Sequence, residues 1–185
     1  MDTFTLRDLR ALISCILVCE AAGGAAAIVT TGAVKTWYPT LRKPSFNPPS
    51  WIFAPVWTAL YLMMGVSLFL TRRKRPRDAW EIAALRLFAL QLLLNALWSV
   101  IFFGLKSPRA AFIEIAALWV ALLLTIRAMY HVSRAGALLL LPYLLWVSFA
   151  AMLNLAIWRL NRGGAAATPG GVTPAAQVTH TSAEG

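Results

Sequence analysis

The chain has 185 residues, 59% of them apolar and 13% charged, with a mean hydropathy of +0.68. Ordinary soluble domains are about 45–50% apolar and about 25% charged, so a water-soluble fold of this length would expose a large apolar area. Most soluble enzyme classes are thereby excluded. A net charge of +10 and a pI near 10.6 raise a nucleic-acid partner, and the positions of the basic residues argue against one.

Five apolar segments follow one another. Residues 11–34 hold one charge, Glu20, and 51–71 hold none. Residues 80–104 hold charge only near their start, at Glu81 and Arg86. Residues 109–130 enclose Glu114, with Arg109 and Arg127 toward the ends, and 135–158 hold none. A helix needs about 20 apolar residues to cross the hydrocarbon core, so the expected fold is all-α: a polytopic membrane protein, one five-transmembrane-helix bundle over residues 1–162. The first segment also has the outline of a secretory signal, with Arg7 and Arg10 ahead of an apolar run and small residues at 22–27. Its continuation to Val34 favours a retained span. Asn47-Pro48-Pro49-Ser50 and Ser107-Pro108 read as helix starts. Pro55 and Pro142 fall inside spans and are expected to bend them. From Gly163 onward Gly, Ala, Thr and Pro dominate, the composition of a disordered tail over 163–185.

On the N-terminal side of the bilayer lie Arg7, Arg10, Arg72, Arg73, Lys74, Arg75, Arg77, Arg127 and Arg134; opposite them lie Lys35, Arg42, Lys43, Lys106, Arg109, Arg159 and Arg162. The positive-inside rule therefore places the N-terminus in the cytoplasm. The tract at 72–77 follows a span directly and reads as a topology anchor attracted to anionic lipid. The lipid bilayer, and no nucleic acid, is the partner that the pI implies.

Cys15 and Cys19 share a helix face without the companions of a metal site, so no metal is expected. His131 and His180 are isolated, and no nucleophile–base set or phosphate loop is present. What remains is aromatic. Of eight tryptophans, Trp37, Trp51, Trp80 and Trp158 sit at span ends, where interfacial belts form. Trp57, Trp98 and Trp146 sit deeper, where an indole N–H needs a partner. Helical spacing puts Trp57, Tyr61 and Gly65 on one face, Gln91, Asn95 and Trp98 on another, and Tyr143, Trp146 and Ala150 on a third. Such stripes suit a flat apolar ligand, and they equally suit a packed core with interhelical hydrogen bonds. Of the acids inside spans, Glu114 lies near its helix start and can snorkel. Glu20 is deeper, beside Gly23, Gly24 and Ala27.

Longer strings carry a resemblance. Trp37-Tyr38, the run Leu41-Arg42-Lys43-Pro44-Ser45-Phe46-Asn47-Pro48-Pro49-Ser50-Trp51, and Pro55-Val56-Trp57 stand in order. Gln91, Asn95 and Trp98 precede Phe102-Phe103-Gly104; Pro142-Tyr143-Leu144, Trp146, Phe149-Ala150 and Leu153-Asn154 follow in the last span. Over residues 10–160 the chain resembles the TspO/MBR family of tryptophan-rich sensory proteins, which includes the mitochondrial translocator protein, or peripheral benzodiazepine receptor.

The resemblance implies a five-helix bundle, usually a homodimer, with a pocket beneath the first loop. It implies a bacterial membrane sensor or receptor for tetrapyrroles, porphyrin or haem, with no cofactor required. Carried over residue by residue, the ligand-binding set is Tyr38, Trp57, Asn95, Trp98, Trp146 and Ala150, with Arg42 and Lys43 at the lid and mouth. Two alternatives follow from the same resemblance: a porphyrin transporter, and a light-dependent porphyrin-degrading enzyme whose redox residues would be Trp57 and Trp146. Glu114 matches an acidic position of several relatives, and Phe46 replaces a common Trp. A sterol-like ligand is disfavoured, because Leu155 stands where the animal members' sterol motif has Tyr, and that motif is a weak one.

Overall fold

Capping residues decide where the helices begin. The computed structural model describes residues 4–73 and 78–162. Helix α1 spans Leu6–Thr36. Thr5 Oγ1 accepts from the Asp8 amide at 3.2 Å while Asp8 accepts from the Thr5 amide at 2.9 Å, a reciprocal capping box. The helix therefore starts before residue 11, its expected limit, because the cap holds a polar first turn that hydropathy does not detect. It runs unbroken through the small residues at 22–27.

A 3₁₀ turn at Ser50–Ile52 leads into α2, Phe53–Arg72. Helix α3, Ala79–Ser99, is capped by Asp78, whose Oδ1 accepts from the Glu81 amide at 2.8 Å. One π-helical turn, Val100–Gly104, extends it. Lys106 then takes φ 51°, the left-handed conformation that stops a helix. Helix α4, Pro108–Val132, starts at Ser107 with Pro108 in its first turn, as the Ser-Pro pair predicts. A short α5, Arg134–Leu138, and then α6, Leu141–Asn161, complete the fifth stretch. All five stretches, 6–36, 50–72, 79–104, 108–132 and 134–161, are long and apolar enough to cross a bilayer. The protein is an all-α, five-helix membrane bundle.

Three local expectations are corrected. Asn47 caps no helix; its side chain bonds Tyr38 and the Pro48 carbonyl instead. Pro55 lies in the first turn of α2, where its missing N–H has no helical partner to lose. Pro142 occupies the first turn of α6, so the fifth span is interrupted ahead of it at Leu139–Leu140 rather than smoothly bent. His131 belongs to the last turn of α4, where it stacks on Trp80 at 4.1 Å between ring centroids.

Lipid solvates apolar side chains as well as other helices do, so close backbone approach and interhelical hydrogen bonds carry association. Helix α4 packs between α3 and α6, and α1 lies against α2 and α3. A Cβ on Gly65 of α2 would stand 2.5 Å from Ile16 Cα of α1. On α5, Gly136 lets its carbonyl accept from Ser67 Oγ of α2 at 2.7 Å. Cys15 and Cys19 are both buried and free, and the described residues contain no metal-ligating cluster. Arg73 Nε lies 3.7 Å from Asp8 Oδ1, joining the end of α2 to the start of α1. The remaining basic residues of the tract, Lys74, Arg75 and Arg77, lie outside the described residues, as do the 163–185 tail and His180.

Gly65→Ala forces α1 off α2 and lowers stability by about 1–3 kcal/mol, the usual cost of overpacking. Gly24→Ala meets nothing within 4 Å and leaves stability unchanged or raises it by up to about 1 kcal/mol through helix propensity. Thermal unfolding of the two variants in detergent separates the outcomes.

Candidate functional site

Beneath the 37–50 loop, α1, α2, the end of α3 and α6 enclose a cavity of about 450 Å³, within the range of small-molecule sites. Tyr38, Trp57, Asn95, Trp98, Trp146 and Ala150 all line it. Two residues of each stripe, read in sequence as pocket or core, thus meet at one space, while Gly65, Gln91 and Tyr143 do not line it.

One wall comes from α2 and α6. The Trp57 and Trp146 rings meet edge to face, centroids 6.5 Å apart and planes at 88°. Phe53 approaches Trp146 at 5.9 Å, and Tyr61 lies against Trp57 at 5.6 Å. The opposite wall comes from the π-helical turn. Inserting one residue into the hydrogen-bond ladder rotates Phe102 and Phe103 relative to a regular helix. Trp98 stacks on Phe102 at 5.1 Å, and Tyr38 lies 5.8 Å from Phe103.

Hydrogen bonds fix these rings unequally. Trp98 Nε1 donates to Asn154 Oδ1 at 3.0 Å, and Asn154 Nδ2 donates to the Pro108 carbonyl at 2.7 Å. Trp146 Nε1 is buried and has no hydrogen-bond partner among the described residues. A buried donor in that condition costs about 1–3 kcal/mol, and here it belongs to a cavity wall. Asn95 is already engaged. Its Oδ1 accepts from the Tyr61 hydroxyl and its Nδ2 donates to the Tyr143 hydroxyl, both at 2.6 Å.

The loop closes the top. The Tyr38 hydroxyl donates to Asn47 Oδ1 at 2.9 Å, and burial pushes the Tyr38 phenol above its ordinary pKa despite that bond. Lys43 does not enter the cavity. Its Nζ sits over the Tyr38 ring, 4.7 Å from the centroid, and donates to the Pro39 and Leu41 carbonyls at 3.4 and 3.3 Å. Arg42 is exposed; its amide donates to Asn161 Oδ1 at 3.1 Å, and its carbonyl accepts from Asn161 Nδ2 at 3.0 Å. Phe46 meets Phe149 edge-on at 6.3 Å, holding the loop against α6.

Other residues fall elsewhere. Gly65 and Gln91 do not line the cavity: Gly65 faces α1, and the Gln91 amide contacts Met64 Sδ at 4.0 Å. Glu114 does not snorkel. It is 8% exposed, and both carboxyl oxygens are buried without hydrogen-bond partners among the described residues. Glu20 does line the cavity. Phe53, Phe103 and Asn154 join the lining too; the strings holding Phe103 and Asn154 were visible, but their orientation depends on the π-helical turn and on helix register, and Phe53 stands in none of the strings.

The bundle and its roofed aromatic cavity define a polytopic membrane protein built around an internal apolar site. The sequence matches the family model described as TspO/MBR family over residues 15–159. The chain belongs to that family. It is 43% identical over 155 residues to the Tryptophan-rich protein TspO of Chlorobaculum tepidum, covering 84% of this chain and 98% of the relative. Against the protein of the same name from Archaeoglobus fulgidus it is 44% identical over 154 residues, covering 83% and 99%. The Translocator protein of Ovis aries is 40% identical over 128 residues, covering 69% and 76%.

Asn95→Leu strands the Tyr61 hydroxyl without an acceptor and Tyr143 without its donor, lowering stability by about 2–4 kcal/mol. Trp98→Phe leaves Asn154 Oδ1 unpaired and costs about 1–2 kcal/mol more than Trp146→Phe, whose indole N–H has no partner to lose. Thermal melts in one detergent check both.

Proposed function

We propose that this protein is a membrane receptor that binds tetrapyrroles, porphyrin or haem, in the cavity beneath the 37–50 loop. The observation that carries the reading is the wall formed by Trp57 and Trp146. Two large aromatic surfaces, both lining the cavity, meet at right angles. A flat macrocycle lies against one ring, and its edge meets the other. The cavity wall holds no Lys or Arg, so the propionates point outward, to the mouth, where Arg42 and Lys43 meet them. Names of the relatives, sensory protein and translocator protein, are compatible with ligand recognition. The excess of basic residues flanking the spans on the N-terminal side supports a cytoplasmic N-terminus.

Titration of the detergent-solubilised protein with protoporphyrin IX is expected to give saturable quenching of tryptophan fluorescence. The Trp57→Phe/Trp146→Phe double variant loses affinity by about tenfold or more, the scale of paired aromatic anchors. Trp51→Phe, 73% exposed and away from the cavity, keeps it. Unchanged affinity in the double variant would overturn the assignment. Replacing both Arg42 and Lys43 by Gln weakens binding by a smaller factor, about twofold to tenfold, that shrinks as salt is raised.

A further inference from the structure

Glu20 gives the cavity a chemistry that the tetrapyrrole reading does not use. Among the cavity-lining residues it is the only acidic side chain, and none is Lys, Arg or His. It lies about 21 Å along α1 from Leu6, at 1.5 Å per residue, close to the middle of a 31-residue helix. An ionisable group at that depth ordinarily pairs with another group or faces a polar path. Among the described residues Glu20 makes no hydrogen bond or ion pair. Cys19 adjoins it in sequence, and Tyr61 lines the same cavity. The Tyr61 hydroxyl is already donated to Asn95, at 2.6 Å. Cys19 is fully buried, and a thiol is a weak donor. Among the described residues, none supplies Glu20 with a strong neutralising partner.

The space beside it is lined by aromatic faces. Tyr61 and Trp57 lie at 31° to one another, and Trp146 stands perpendicular to Trp57. An acidic group beside such faces recognises an organic cation: the carboxyl group takes the charge, and the rings take the polarisable N-methyl or N–H shell. Both basic loop side chains stay outside this space, so the cavity is acidic at its inner end and basic only at its rim.

We propose that the cavity also binds lipophilic organic cations, molecules with a flat aromatic body and an amine or quaternary ammonium head, with the head seated between Glu20 and the Trp57–Tyr61 pair. This rests on the reading above only in taking the same cavity as a ligand site. Glu20 is the specificity determinant: it favours a cationic head at the inner end and turns anionic groups toward the mouth.

The experiment uses the full chain in phosphatidylcholine nanodiscs, with empty nanodiscs correcting for lipid partition. Equilibrium dialysis compares (2-naphthylmethyl)trimethylammonium with its uncharged carbon isostere, 2-neopentylnaphthalene, and protoporphyrin IX is titrated in parallel. The wild-type protein is expected to bind the cation about tenfold more tightly than the isostere, the scale of a partly desolvated charge contact. Glu20→Gln abolishes that preference while the isostere still binds; Glu20→Asp keeps part of the preference. No preference in the wild-type protein overturns the proposal without any variant, as does a preference that survives in Glu20→Gln. Porphyrin binding without cation preference removes this proposal alone. Cation preference that depends on Glu20, without porphyrin binding, removes the tetrapyrrole assignment alone. Failure of both ligands to saturate removes both.

Discussion

A carboxamide on α3 held between two phenols, one from α2 and one from α6, joins three of the five helices at a single point. In water such a group would compete with solvent, and its net worth would be small. In a bilayer no solvent competes, and apolar contacts between helices gain little over contacts with lipid tails. The Tyr61–Asn95–Tyr143 bridge therefore sets helix register as much as it adds stability. Each phenol is about one helical turn from a cavity tryptophan: Tyr61 follows Trp57, and Tyr143 precedes Trp146. Fixing the phenols fixes the rings. The positions of the cavity rings are thus set by hydrogen bonds made within the protein.

Much of this architecture is legible in the sequence, for a definite physical reason. The cost of burying charge in hydrocarbon is large and local, so charge-free stretches such as 51–71 and 135–158 reveal spans without any knowledge of partners. The faces of Trp57, Asn95 and Trp146 follow from helical periodicity alone. Partner choice does not. Asn95 and Tyr143 are 48 residues apart, and periodicity does not say which of several polar residues will meet. Asn47 shows the same limit: its position before two prolines suits a cap, while its side chain is taken by Tyr38 across the loop. Glu114 shows a further one. Distance from a helix start estimates the route to water, but α4 packs between two neighbours, and that packing closes the route.

The π-helical turn at Val100–Gly104 lies beyond any pattern of apolar spacing, because it changes the period within one turn. It redirects Phe102 and Phe103 toward Trp98 and Tyr38, forming the wall opposite Trp57 and Trp146. Such insertions concentrate at functional sites, and this one brings Phe102 and Phe103 into the cavity lining. The positive φ at Lys106, two residues beyond Gly104, then stops the helix.

The paired hydrogen bonds between Arg42 and Asn161 span 119 residues of sequence. They tie the roof of the cavity to the last turn of the final helix rather than to the helices adjoining the loop. Fraying of the last turn of α6 would therefore free the roof at Arg42 while the hydrogen bonds that hold Asn95 and Trp98 stay in place. A contact that grips or releases that turn would act as a latch on the roof.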